Sequence, residues 1–139
     1  MSNSMWDFNP GVIEEFRANG GKVGGPFAGR DLLLLTTIGA KSGQQRTSPL
    51  LSFTDDDRLY VIASQAGAPN HPGWYHNLLA NPEATVEIGG ERYPIRAGAA
   101  ESAERDRLFA AAVAQDERIG ESQRKTSRII PIVFLDRIE

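Results

Sequence analysis

Residues 32–53, LLLLTTIGAKSGQQRTSPLLSF, decide the fold of this chain. The run from Leu32 to Ile38 predicts a strand with apolar residues on both faces, which is typical of a central or barrel-forming strand. A second apolar strand is predicted from Thr47 to Phe53, and its Pro49 favours an edge, a bulge or a ligand-facing position. Only a short turn separates the two runs, so we expect an antiparallel pair.

The turn between these two strands carries positive charge in a chain whose net charge is -3. Lys41 and Arg46 lie there among Gly and Ser residues, which can offer backbone N–H groups and hydroxyls to a single anion. We therefore interpret the turn as an anion-binding site. For Arg17 and Arg30, which precede it, an ordinary solvated surface is an equally good interpretation.

Composition restricts the classes of function. The 139 residues predict one domain, 1–139, in which residues 1–9 form a flexible N-terminus. The chain has no cysteine, which excludes disulfides, thiol catalysis and cysteine-ligated metals. It has no long apolar run, no secretory signal and no Lys/Arg block, so we expect a cytoplasmic protein that does not bind nucleic acid.

The rest of the pattern predicts a mainly β, α+β domain with six strands and three helices. The strands are predicted at 32–38, 47–53, 59–64, 85–88, 92–97 and 129–135, and the helices at 10–19, 72–80 and 102–115. Asp55–Asp57 and Gly89–Gly90 are hairpin turns, and 116–127 remains unassigned. Short turns between many apolar strands indicate an antiparallel barrel.

A second informative segment is 63–77, ASQAGAPNHPGWYHN. Small residues after a strand let a flat ring lie against the backbone, and the first turn of the following helix carries Trp74 and Tyr75. Free N–H groups at the start of that helix can donate hydrogen bonds to an anionic group or a carbonyl on the edge of such a ring. Trp74 could equally be a core residue. Together with the basic turn, the segment predicts one elongated site, with a flat ring here and an anionic tail at Lys41 and Arg46.

Other sites are poorly supported. The glycines of 24–29 have the spacing of a phosphate-binding loop, but the Lys and Ser/Thr are missing and a strand follows. His71 and His76 are five residues apart, which does not place them on one helix face, so we expect no metal site. We interpret His71 as a helix cap and His76 as a local hydrogen-bonding residue. No nucleophile elbow is present.

These two segments, together with 17–25 and 126–133, resemble the deazaflavin-dependent nitroreductase family. Its members are actinobacterial coenzyme F420-dependent reductases with a split β-barrel related to FMN-binding split barrels. The resemblance covers roughly residues 8–136, and its most specific part is 67–77. It implies a six-stranded split barrel that transfers a hydride from reduced coenzyme F420 to a quinone, an enone, an unsaturated lactone or a nitro compound.

The resemblance also implies three groups of cofactor-binding residues. The phosphate and glutamate tail would be held by Lys41, Ser42, Arg46, Thr47 and Ser48. The deazaflavin ring and ribityl chain would be lined by Pro49, Ile62, Ala63, Ser64 and Gln65, and closed on the other side by Gly73, Trp74, Tyr75 and Asn77. No side chain is an evident catalytic nucleophile, and a proton could come from Ser64, Tyr75 or solvent.

The chain departs from the family pattern in two places. Ala40 stands where many relatives have an arginine, which would weaken the tail contact. Asp116, Ile119 and Ser122 occupy the substrate-lining positions where the best-known nitroreductase of the family has tyrosines. We therefore do not expect aromatic stacking on a nitroimidazole.

Two other functions fit the same pattern: an FMN-dependent split-barrel oxidoreductase and a non-catalytic carrier of F420. The oligomeric state is open between a monomer and a homodimer. The N-terminal apolar residues could contact the inner face of the cell membrane, although packing on the barrel or on a partner subunit is the simpler expectation. These residues are Met5, Trp6, Phe8, Val12, Ile13 and Phe16.

Overall fold

The computed structural model describes residues 9–21, 31–64 and 70–138. The elements in chain order are α1 Asn9–Ala18, β1 Leu32–Ile38, β2 Gln45–Leu51, β3 Phe53–Asp55, β4 Arg58–Ile62, α2 Gly73–Ala80, β5 Glu83–Ile88, β6 Glu91–Ala99, α3 Ser102–Gln115, α4 Glu117–Arg124 and β7 Ile132–Arg137. The predicted flexible segment 1–9 lies outside the described residues except for Asn9, which begins α1.

The described strands form one antiparallel sheet in the order β2-β1-β5-β6-β7-β4-β3. Its two outer strands, β2 and β3, are consecutive in the chain and are separated by Ser52 alone. A sheet whose two edges are joined by one residue has to curl until those edges meet. The antiparallel split-barrel prediction is confirmed, and Pro49 lies on an edge strand as expected.

The described residues contain seven strands and four helices, rather than the predicted six and three. The strand predicted from Thr47 to Phe53 is two strands, because the chain leaves one edge of the sheet at Ser52 and joins the other at Phe53. The extra helix, α4, fills the unassigned segment. It buries only Ile119 and Gly120, so it lacks the apolar stripe by which a helix is recognised.

The four consecutive leucines of β1 are buried on both faces of the sheet. Leu33 and Leu35 lie in the barrel interior, a cluster that also contains Trp74 and Leu78 of α2. Leu32 and Leu34 face the other way and pack with Val12 and Phe16 of α1. A third cluster lies between β3, β4 and β7 on one side and α3 and α4 on the other.

Helix α1 packs on the barrel, so two of the residues proposed to face a membrane are in the core. Val12 and Phe16 are 7% and 2% exposed. Arg17 adds a bidentate ion pair with Glu87 of β5, with N–O distances of 3.0 and 2.8 Å. Met5, Trp6 and Phe8 lie outside the described residues. Over the ranges that are described, no helix combines the length and the apolar character needed to cross a membrane.

We expect Phe16→Ala to lower the free energy of unfolding by about 3 kcal/mol, because it removes a buried ring and leaves a cavity. Denaturant titration measures the change, with the exposed Glu14→Ala of the same helix as the control, expected within about 0.5 kcal/mol of the parent. Equal stability of both variants would contradict the packing of α1 on β1.

Candidate functional site

A cleft of about 810 Å³ opens between the turn that follows β1 and the first turns of α2. Its size is in the range of pockets that hold small molecules and cofactors. The lining residues are Gly39, Ala40, Lys41, Ser42, Arg46, Ser48, Pro72, Gly73, Trp74, His76 and Asn77. The predicted basic turn and the 72–77 part of the second predicted segment therefore lie together.

The turn is shaped by its own hydrogen bonds. The N–H of Gly39 donates to the carbonyl of Gln44 at 2.7 Å, and the N–H of Gly43 donates to the carbonyl of Gly39 at 2.9 Å. A Cβ on Gly39 would lie 2.5 Å from Ser42 Oγ and 3.2 Å from the Gln44 carbonyl, and Gly43 has φ +70. Both positions therefore favour glycine, and a closely packed turn presents Lys41 to solvent.

Asn77 of α2 fixes this turn in place. Its Oδ1 accepts from the backbone N–H of Ala40 at 2.9 Å, and its Nδ2 donates to Thr37 Oγ1 at 3.0 Å. Thr37 is fully buried at the end of β1. One carboxamide thus joins the helix, the strand end and the turn, and it sets the width of the cleft.

Lys41 and Arg46 place two positive charges at the cleft. Both are exposed, and among the residues that the structure describes neither makes an ion pair. The hydroxyls of Ser42 and Ser48 line the same cleft. This combination suits a ligand with several negative charges, because charge-assisted hydrogen bonds are stronger than neutral ones.

Strand alternation decides which predicted residues of β2 reach the cleft. Arg46 and Ser48 point to it, whereas Thr47 and Pro49 point to the opposite face. Thr47 Oγ1 lies 2.8 Å from Thr36 Oγ1, and Pro49 is buried opposite Leu34. The structure therefore does not bring Thr47 and Pro49 to the cleft with the other predicted tail and ring residues.

The predicted ring-lining residues of β4 divide in the same way. Ile62 packs on the side of α3 and α4, away from the cleft. Ala63 is fully buried in the same cluster as Trp74, and Ser64 follows it, half-buried. Gln65 lies outside the described residues.

Tyr75 and Trp74 lie at the start of α2, where the sequence placed them. Trp74 is 4% exposed and packs in the barrel interior, yet it also lines the cleft. It is therefore both a core residue and a wall of the site. Tyr75 is half-buried, and its ring lies 4.8 Å from that of His71.

The positions predicted to line the substrate lie elsewhere. Asp116 accepts a hydrogen bond from the N–H of Arg118 at the start of α4. Ile119 is buried in the cluster beneath α3 and α4, and the Ser122 hydroxyl donates to the Arg118 carbonyl at 3.1 Å. The face of β4 that this cluster covers is opposite to the one packed against α2, so these three residues and the cleft are separated.

Several residues at the site were not predicted from sequence. Gly39, Pro72 and His76 line the cleft. His71 is not the helix cap that we expected, because Pro72 occupies that position. Instead, His71 Nδ1 lies 3.0 Å from an NH1 of Arg128, a residue that follows α4. No local sequence signal joins residues that lie this far apart in the chain.

Burial and the contact with Arg128 together keep His71 neutral. Burial, followed by the charge of Arg128 and then that of His76, lowers the pKa of His71 from its ordinary value. His71 is therefore neutral near pH 7, with Nδ1 accepting from Arg128 and the proton on Nε2. Over the described ranges, no group of three or more metal-binding side chains occurs.

Comparison with known proteins gives consistent matches. The family model for F420H(2)-dependent quinone reductase matches residues 11–137. An F420H(2)-dependent quinone reductase of Mycobacterium tuberculosis (strain H37Rv) is 36% identical over 126 residues, which are 88% of this chain and 85% of that protein.

Two solved structures are similar in both sequence and fold. The first is described as an F420-H2 dependent reductase, with 37% identity, a TM-score of 0.69, and coverage of 77% of this chain and 95% of that one. The second is described as a domain-swapped dimer, with 34% identity, a TM-score of 0.71, and coverage of 96% and 100%.

We expect Asn77→Ala to lower the free energy of unfolding by about 2 kcal/mol, since it removes two hydrogen bonds of about 1 kcal/mol each and leaves Thr37 unpaired. Asn81→Ala is the matched control, because Asn81 makes one long, exposed hydrogen bond at the end of the same helix. Its effect is expected within about 0.5 kcal/mol. Equal losses in the two variants, measured by denaturant titration, would refute the bridging role of Asn77.

Proposed function

This chain belongs to the F420H(2)-dependent quinone reductase family, and we propose that it reduces a quinone with a hydride from reduced coenzyme F420. The resemblance identified in the sequence is confirmed by this membership, and the chain is an F420H2-dependent reductase. The finer proposal concerns the acceptor. Its principal support is the cleft lined both by Trp74 and by Lys41 and Arg46, two cations that form no ion pair among the described residues.

The residues present fit the cofactor's polyanionic tail. Lys41 and Arg46 supply positive charge, and Ser42 and Ser48 supply hydroxyl donors beside it. Arg46 can bind two oxygens of one phosphate or carboxylate, whereas Lys41 acts as a point charge. Ala40 donates its backbone N–H to Asn77 and contributes no charge to the tail.

The opposite end of the cleft fits a flat ring. Trp74 is held in the barrel interior, so its indole is a fixed surface rather than a mobile one. Gly73 adds no side chain, and a Cβ there would meet nothing within 4 Å. A planar molecule could therefore lie against the first turn of α2.

Bound F420H2 supplies the hydride, and the chain's own residues bind, orient and shield the reactants. Reduction of a quinone carbonyl also requires a proton on oxygen. Ser64, Tyr75 and solvent remain the proposed sources. Ser64 and Tyr75 are both half-buried; they follow Ala63 and Trp74 in the chain and are not among the residues that line the cleft.

A quinone is the proposed acceptor because the similar protein of M. tuberculosis is named as a quinone reductase. Enones, unsaturated lactones and nitro compounds are secondary candidates. Nitroimidazole reduction is expected to be slow, because Asp116, Ile119 and Ser122 offer no aromatic ring and lie away from the cleft.

An acceptor panel tests this function. The protein is mixed with F420H2 and, in separate reactions, with menadione, a cyclic enone, an unsaturated lactone or a nitroimidazole, and the return of oxidised F420 absorbance is followed. We expect menadione to be reduced fastest. Tight binding of F420H2 without oxidation by any acceptor would indicate a carrier instead, and purification with bound FMN would indicate a flavin enzyme.

We expect the double variant Lys41→Ala, Arg46→Ala to raise the Kd for F420 at least tenfold, or about 1.4 kcal/mol, because both charges that face the tail are lost. Titration of deazaflavin fluorescence measures this Kd. The affinity of the parent should also fall with added salt more steeply than that of the variant.

The control for this prediction removes the same net charge elsewhere. Arg92 and Arg96 are exposed on β6 and do not line the cleft. Arg92→Ala combined with Arg96→Ala should leave the Kd within about twofold of the parent, since exposed charges that do not contact the ligand are weakened by salt screening. An unchanged Kd in the Lys41 and Arg46 variant would refute the tail assignment.

A further inference from the structure

Arg128, in the segment between α4 and β7, contacts the two residues that follow β4. Arg128 is half-buried, and its NH1 donates to the Ala63 carbonyl at 3.1 Å while its NH2 donates to the Ser64 carbonyl at 2.8 Å. The same NH1 lies 3.0 Å from His71 Nδ1. One guanidinium therefore joins the end of β4 to the residue immediately before the N-cap of α2.

The two carbonyl contacts lie directly after the last residue of β4, where regular strand pairing ends. In an extended strand successive carbonyls point to opposite sides, so Ala63 and Ser64 can share one guanidinium only where the chain leaves the strand direction. The N–H of Ala63 still donates to the carbonyl of Pro131 at 2.9 Å. β4 thus ends at Ile62, and Arg128 holds the carbonyls of the two residues that follow it.

Arg128 is itself held by a network behind it. Gln123 Nε2 donates to the Arg128 carbonyl at 2.7 Å, while Gln123 Oε1 accepts from Arg105 NH2 at 2.9 Å and from the N–H of Ile130 at 3.0 Å. Burial lowers the pKa of Arg128, so placing this cation here costs free energy. A surface arginine would hold a carbonyl pair less rigidly, because it would exchange with water.

We propose that Arg128 and His71 are positioning residues for the reductase, which hold Ala63 and Ser64 in place beside α2 and so align the ring of the bound cofactor. This inference rests on the proposed function, because it assigns the ring to this end of the cleft. The tail residues belong to the turn after β1 and to β2, so they are independent of the Arg128 contacts. Alignment of the ring and affinity for the tail are therefore separable.

Arg128→Gln should lower kcat for quinone reduction at saturating F420H2 by at least about tenfold, because small displacements of reacting atoms are costly. The Kd for F420 should change by less than about threefold, since the tail contacts are retained. Arg128→Lys keeps the charge but not the fork that reaches two carbonyls, and it should show an intermediate kcat.

Two variants of the neighbour make the test specific. His71→Asn retains an acceptor for Arg128 and should keep most of the parent kcat, whereas His71→Phe removes the acceptor and should resemble Arg128→Gln. Arg58→Gln is the control for loss of an arginine. It lies at the other end of β4, pairs with Asp136 and covers the ring of Phe134, so it should affect stability without affecting kcat.

The outcomes separate this inference from the function it rests on. Parent protein that neither binds nor oxidises F420H2 would overturn both. Two results would overturn the positioning role alone, provided that the parent is active. The first is an unchanged kcat in folded Arg128→Gln. The second is a fall in kcat that follows the fall in thermal midpoint and is equal in both His71 variants. If Arg128→Gln does not fold, Arg128→Lys and the two His71 variants decide the question by the same criteria.

Discussion

The cleft depends on the carboxamide of Asn77. The exposed turn after β1 carries Lys41, while Arg46 is the second residue of β2. The β1–β2 ladder ends at Ile38 and Gln45, so strand pairing alone does not hold the turn beside α2. Asn77 supplies the attraction, because its oxygen and nitrogen satisfy Ala40 and the buried Thr37 at the same time. A buried hydroxyl that loses its partner is costly, so the amide resists rotation, and the turn stays where a bound anion can use it.

Strand geometry then selects which side chains take part. β1 is buried on both faces, so β2 presents one face to the barrel interior and the other to α1. Arg46 and Ser48 share the first face, and Thr47 and Pro49 share the second. A site built on an edge strand can therefore use only every second residue, even where the sequence makes a continuous polar stretch look functional.

The parts of the structure that could be predicted from sequence are those with local causes. The buried run of β1, the basic turn and the helix after Pro72 all follow from apolar pattern, Gly and Pro. The contacts that assemble the site are not local: Asn77 reaches residues 37 and 40 positions away, and Arg128 reaches residues 57 to 65 positions away. Their side chains form no repeating pattern, and only the three-dimensional fold brings them together.

The two ends of the cleft impose different physical demands on the protein. Attraction between the cations and a polyanionic tail falls off slowly with distance, so the turn can tolerate some movement and still capture its ligand. Hydride transfer depends on the separation and alignment of two reacting atoms and tolerates little displacement. The exposed turn beside Lys41 suits the first demand. The second requires a rigid surface, and the protein provides one where the buried Trp74 and the Arg128 contacts meet the end of β4.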